Sequence, residues 1–338
     1  MSEFIKKGLT EDEMNEYSAK YRYWQGIPTF LRAPYKPDME DTDIGLIGFA
    51  YSGGNPIERM QHHGPRAVRN RSCAYQRAHR FFQIHPFEHL RISDLGDVPL
   101  PNILNPDTSA FDAEKFFKTV HDKDIIPVTV GGDHSITIPI LRAIAGKNSK
   151  QKGPIGMIHF DAHADSWGPA GGTVHHAGAA FFIGAEEGLI DPKRTIQIGF
   201  HGSVASLEQE EYSRQMYTVT TMADIEEKGI DWLAREVHRV IGDGPTYLSF
   251  DLDVLDLAYA PGVADPEVNG MTTREVFSLL NKLRGLDIVG ADIACFCPPL
   301  DNEAQITALL CSELMLQFVS HIADFRITKK STAAVSTR

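Results

Sequence analysis

The chain has 338 residues, with 33 Lys and Arg against 45 Asp and Glu and a formal charge of −12. That balance argues against nucleic acid or an anionic membrane surface as a partner, and 42% hydrophobic with 9% aromatic content excludes disorder on a large scale. Four cysteines, Cys73, Cys295, Cys297 and Cys311, are too sparse and irregular for a disulfide framework, so a reducing, cytoplasmic setting is expected.

In chain order, the opening MSEFIKKGLTEDE is charged throughout and predicts no secretory signal; residues 1–40 read as a polar N-terminal arm. Short apolar, β-branched runs follow at Ile44–Ala50, Leu90–Val98, Ile125–Val130, Ile155–Phe160, Thr195–Phe200, Tyr217–Thr221, Thr246–Phe250 and Leu286–Phe296. Most are continuously apolar, as strands buried on both faces are. Helical spacing of apolar residues fills the gaps at Ala113–His121, Ile136–Ala145, Trp232–Ile241 and Thr272–Leu283, the last opened by a capping box from Thr272 to Glu275. This alternation predicts an α/β fold with a mainly parallel sheet of about eight strands covered on both faces. One domain is expected over residues 41–328. The apolar stretch Ile306–Ala323 is interrupted by Thr307, Ser312, Glu313, Gln317, Ser320 and His321 and predicts no membrane span. Residues 329–338 read as a flexible tail.

Ligands of such sheets gather at the carboxyl ends of the strands, and three segments with chemistry in them fall there. IIPVTVGGDHS places His134 after a strand, MIHFDAHAD places Asp161, His163 and Asp165 at alternate positions, and YLSFDLDVLD does the same with Asp251 and Asp253. Alternate residues of an extended chain point to the same side, so each set can converge. Four carboxylates and two imidazoles buried at strand ends are unfavourable unless divalent cations offset them. Oxygen and imidazole ligands without thiolate suit Mn, Ni, Fe or Co better than structural zinc, and six of them are enough for two ions roughly 3.5 Å apart.

GGDHS, DAHAD and SFDLDVLD, in this order, resemble the signature blocks of the ureohydrolase family, which includes arginases and agmatinases; HGPRAVR at 63–69, EEGLIDPKRTIQIG at 186–199 and APG at 260–262 extend the resemblance to most of the chain. It implies a three-layer α/β/α sandwich of arginase type and two divalent ions per chain, Mn2+ or Ni2+. The implied reaction is hydrolysis of a small guanidino compound to urea and an amine, and the implied assembly is a homo-oligomer, a trimer or hexamer. By motif match His134, Asp161, His163, Asp165, Asp251 and Asp253 resemble the metal ligands, and Asp165 would also pass a proton to the leaving amine.

The substrate side departs from the family pattern. Where agmatinase-like chains carry the HG[TS]PF proton-shuttle motif, this chain reads VHHAGAAFF, so His176 is matched to the shuttle with His175 as the alternative. Cys295 in GADIACFCPP stands where the family carries a Glu that pairs with the substrate guanidinium, and a neutral thiol cannot act as its counter-ion. GVADPEVNG at 262–270 replaces GTxTPEPGG, Trp167 follows the second block as a candidate to stack on a planar cation, and His201 replaces an Arg. These changes predict a hydrolase with specificity altered from agmatine, with Cys295, Trp167, His175 and His201 as substrate contacts. Free guanidine or a biguanide such as metformin, which would give dimethylamine and guanylurea, is one alternative. A non-catalytic subunit of a hetero-oligomer is another, and a one-zinc deacetylase of similar fold a third.

Overall fold

The computed structural model describes residues 22, 25–56, 60–74, 77–151, 153–204 and 206–336, so most of the expected N-terminal arm lies outside the described residues. Eight strands form one sheet: β1 (Ile44–Phe49), β2 (Ile92–Asp97), β3 (Ile126–Gly131), β4 (Ile155–Phe160), β5 (Ile190–Phe200), β6 (Thr218–Thr221), β7 (Thr246–Asp251) and β8 (Ile288–Ala294). Their order is β2-β1-β3-β8-β7-β4-β5-β6, and every pairing is parallel.

The continuous apolar runs have the predicted cause. On β1, Ile44 and Leu46 enter one hydrophobic core while Ile47 and Phe49 enter another; on β4, Ile158 and Phe160 face the first and Ile155 and Met157 the second. The first core is closed by α1 (Gly64–Ser72), α2 (Pro86–His89), α8 (Ile230–Ile241), α9 (Thr273–Lys282) and α10 (Ile306–Ser336), and the second by α3 (Pro106–Asp122), α4 (Thr137–Ala145) and α5 (Ala180–Glu186). Two further helices, α6 (Glu208–Met216) and α7 (Met222–Lys228), flank the β6 edge. The result is a three-layer α/β/α sandwich.

Local chemistry sets the helix starts. Thr272 Oγ1 accepts from the Glu275 amide and Glu275 Oε2 accepts from the Thr272 amide, completing the predicted capping box on α9. Asn105 caps α3 by accepting from the Thr108 amide at 2.9 Å. β5 begins earlier than its apolar run, because the segment Asp191–Arg194, polar except for Pro192, continues the strand from Ile190, which pairs with Ile155 across a bulge. The segment expected to be a tail is helical through Ser336; it contains no Gly or Pro to stop the helix. Within α10, Ile306–Lys329 is long and apolar enough to cross a membrane by composition alone, and 83% of its most apolar window is buried inside the protein.

The glycine that follows β3 has a steric reason. A Cβ on Gly132 would lie 1.4 Å from the Tyr51 carbonyl oxygen, so the loop after β3 can lie against the loop after β1 only with glycine there.

Candidate metal centre and substrate cleft

The four central strands β3, β8, β7 and β4 deliver His134, Cys295, Asp251 with Asp253, and Asp161 with His163 and Asp165 to one end of the sheet. Two of these residues, Asp165 (φ 43°) and Cys295 (φ 65°), hold the left-handed conformation. Strain of this kind, about 1–3 kcal/mol each, persists where the surroundings dictate it.

His134 is fully buried, and its Nδ1 lies 3.2, 3.0 and 3.1 Å from carboxylate oxygens of Asp161, Asp165 and Asp251. The other face of the ring fixes its tautomer. Ser249 Oγ donates to Asp292 Oδ1 at 2.7 Å and therefore accepts from His134 Nε2 at 2.8 Å. Asp292 is also fully buried and accepts from Thr137 Oγ1 and the Tyr247 hydroxyl through its second oxygen. With the proton on Nε2, Nδ1 presents a lone pair to three carboxylates, and it has no hydrogen-bond partner. Such an arrangement fits a cation at its centre.

A second cradle adjoins it. His163 Nδ1 lies 3.1 Å from Asp253 Oδ2 and 3.4 Å from Asp161 Oδ1, while Asp161 Oδ1 accepts from the His163 amide at 2.6 Å. Two groups of ligand atoms, His134 with His159 and Asp161, and Asp161 with His163 and Asp253, each fall within 4.8 Å and share Asp161. The donor set therefore suits two ions rather than one.

The electrostatics agree. Burial opposes the charge on Asp161, but the His159, His134 and His163 imidazoles outweigh it and hold this carboxyl well below the usual range. Burial, then the charge of Asp161, pushes Asp165 up to about 7. Burial, with Asp251 and Asp161 close by, raises Asp253 well above its ordinary value. Four buried carboxylates without cations are thus mutually repulsive, and divalent ions would remove the conflict.

Three residues of this assembly escape the motif reading. His159, two residues before Asp161 on β4, directs Nε2 to Asp161 Oδ2 at 2.8 Å, accepts from Gln197 Nε2 through Nδ1, and stacks on Phe181 at 3.7 Å between centroids. Its period-two register with Asp161 and His163 is the signal that could have found it. Asp292 and Ser249 carry no such pattern.

The ligands open onto a cleft of about 490 Å³, walled by His163, Asp165, Trp167, Asn55, Asp265 and Glu267, with Gly178 under the Trp167 indole. Trp167 therefore stands at the cleft. His176 adjoins the wall: its Nε2 lies 3.0 Å from the Gly168 carbonyl oxygen and the next residue, Ala177, lines the cleft. The other proposed substrate contacts need correction. His175 turns away, held between Asp107 Oδ1 at 2.6 Å and Arg142 Nη1 at 2.8 Å, because its neighbour occupies the inward position of the loop. His201 donates to its own strand, Nδ1 to the Gly199 carbonyl oxygen, and packs beneath the turn at Gly270. Cys295 is only 4% exposed and is not among the residues lining the cleft; it lies close to Asp251.

Comparison with known proteins places the chain. The Arginase family profile matches residues 42–320. A guanidinopropionase of Pseudomonas aeruginosa is 40% identical over 309 residues, covering 91% of this chain and 95% of its own. A mitochondrial guanidino acid hydrolase of Homo sapiens is 35% identical, covering 87% of this chain and 82% of its own. Among solved structures, proclavaminate amidino hydrolase from Streptomyces clavuligerus superposes with a TM-score of 0.85 at 30% identity, over 90% of this chain and 100% of that one.

Proposed function

The chain belongs to the arginase family, and on that premise we propose that it is a two-metal hydrolase releasing urea and an amine from a small guanidino compound other than agmatine. The activity class, hydrolysis of C–N bonds in guanidino compounds, follows from the family and from relatives named guanidinopropionase and guanidinobutyrase. The observation that carries the two-metal reading is the bare His134 Nδ1 facing three carboxylates beside a second cradle that shares Asp161. His134, Asp161, Asp165 and Asp251 would hold one ion, and Asp161, His163 and Asp253 the other, with Mn2+ or Ni2+ suited to these ligands.

Two divalent ions would supply a water acidic enough to attack at neutral pH. The protein does the rest. Asp165 belongs to both the ligand cluster and the cleft wall, so its carboxyl can carry a proton from the attacking side to the leaving amine. Trp167 offers an indole face over which a planar guanidinium can stack. His176, at the cleft margin, is placed to exchange protons with solvent.

The test is a turnover panel on protein loaded separately with Mn2+ and Ni2+. It comprises agmatine, 4-guanidinobutyrate, 3-guanidinopropionate, arginine, guanidine and metformin, with products identified by mass spectrometry and bound metal counted. Preferred turnover of a guanidino compound other than agmatine at two ions per chain supports the reading, and agmatine as the preferred substrate refutes its specificity. A folded, two-metal protein that hydrolyses none of them refutes it.

A further inference from the structure

Resting on the reading of this cleft as a guanidinium site, we propose that Asp265 is the carboxylate that pairs with the substrate guanidinium and sets its position over the metals. A guanidinium withdrawn from water needs an anionic partner able to meet its planar donor fork. Cys295 is not that partner, since a thiol lacks the paired oxygen acceptors that meet the guanidinium fork, and position 295 is not among the residues lining the cleft. Among the described residues, four ionisable side chains line the cleft: His163, Asp165, Asp265 and Glu267. The first two belong to the metal cradles. Glu267 is turned toward His163, with Oε1 3.8 Å from Nε2, and closes over Gly202, where a Cβ would meet its Oε2 at 2.1 Å; it backs a metal-ligating histidine. Asp265 is the carboxylate left for the substrate.

Its surroundings hold it there. Asp265 Oδ2 accepts from Asn55 Nδ2 at 2.8 Å, and its other oxygen takes no hydrogen bond from the described residues. Asn55 is anchored through its neighbour Gly54, whose amide donates to the buried Asp133 at 2.8 Å and whose carbonyl accepts from the Ala177 amide. On the other side, the Ala264 amide donates to the Cys295 carbonyl at 3.2 Å and Val263 bridges Phe296. Position 265 is thus one residue from the chain that pairs with position 295. The anionic group would then stand not at position 295 but on the adjoining segment, in the lining of the cleft that also contains Trp167.

The experiment measures binding of agmatine and of 3-guanidinopropionate by calorimetry to Mn-loaded wild type, Asp265→Asn, Asp265→Thr and Asp265→Glu, with bound metal counted and kcat and KM measured for whichever compound is turned over. The proposal expects both neutral variants to keep two ions and to bind about 30-fold or more weakly, the scale for truncating one partner of a buried charge pair, with the loss in KM. Asp265→Glu should recover part of it. Binding by Asp265→Asn and Asp265→Thr within threefold of wild type overturns the proposal and leaves the hydrolase reading intact. Loss of metal in the neutral variants also overturns it, since Asp265 would then support the metal centre. Tight binding by wild type that Asp265→Asn loses, with no turnover of any compound, sustains the proposal while refuting the hydrolase reading. Failure of wild type to bind either compound overturns the proposal, and the turnover panel then decides the hydrolase reading on its own.

Discussion

Ser249 is the least conspicuous member of the metal centre, and replacing it with alanine should be among the most informative changes. The hydroxyl accepts from His134 Nε2 at 2.8 Å and donates to Asp292 Oδ1 at 2.7 Å, and all three residues are buried. Ser249→Ala strands the His134 N–H, a cost of about 1–3 kcal/mol, and removes one of three donors to a buried carboxylate, a further ~1.5–3 kcal/mol. The larger consequence is for tautomer: without an acceptor at Nε2, nothing holds the lone pair on Nδ1, so metal affinity should fall about 10- to 100-fold. Thr137→Ala is the control. It also takes a donor from Asp292, at 2.7 Å, while its hydroxyl, 3.5 Å from Ser249 Oγ, makes no hydrogen bond to the His134 ring and its backbone N–H to the His134 carbonyl is kept, so it should lower stability by about 1.5–3 kcal/mol with affinity unchanged. Denaturant unfolding of the metal-free proteins measures the first quantity, and Mn2+ titration against a competing chelator the second. Equal metal affinity in Ser249→Ala and wild type would refute the tautomer argument.

Asp165→Asn should lower kcat by about 10²- to 10⁴-fold, the usual scale for a proton-transfer group; a variant within tenfold of wild type denies Asp165 that role. His321 is buried against His79, Gln317 and the Leu280 carbonyl, with Asp324 and Arg284 nearby, and burial first, then His79, depresses it to about 3. Its contribution is therefore complete above the unfolded value near 6.5 and lost as pH falls from there toward 3, at up to about 1.4 kcal/mol per pH unit. Unfolding free energies at pH 7.0 and 5.0 should converge for His321→Gln relative to wild type, and parallel profiles would exclude His321 as the cause. Thr272→Ala removes the side chain that accepts from the Glu275 amide and should cost about 1 kcal/mol in thermal unfolding; a loss below ~0.3 kcal/mol would mean that packing of α9 alone holds this helix start.

What the sequence reveals of this molecule follows from periodicity. Buried parallel strands must be apolar on both faces, so Ile155–Phe160 and Thr246–Phe250 announce themselves, and the alternation of Asp161, His163 and Asp165 says which side chains share a face. Neither signal reports what lies behind those side chains. Ser249 and Asp292 are isolated polar residues in apolar strands, and their link to His134 exists only because β8 and β7 are neighbours and lie beside β3 and β4 in the sheet. Loops are harder still. In VHHAGAAFF two adjacent histidines are equivalent as letters, yet the loop presents His176 beside the cleft and commits His175 to Asp107 and Arg142.

The same limit shaped the reading of position 295. A missing carboxylate is visible in GADIACFCPP, and an added one is equally visible in GVADPEVNG, but the segments lie about thirty residues apart and nothing local connects them. The structure joins them through the Ala264–Cys295 backbone bond and the Val263–Phe296 bridge. A cleft that binds a cation requires a negative charge near it, whichever segment supplies that charge. On the proposed reading, a carboxylate at position 265 in place of one at 295 would leave the metal ligands undisturbed and change the direction from which a guanidinium is held, so that one metal centre could serve a different substrate.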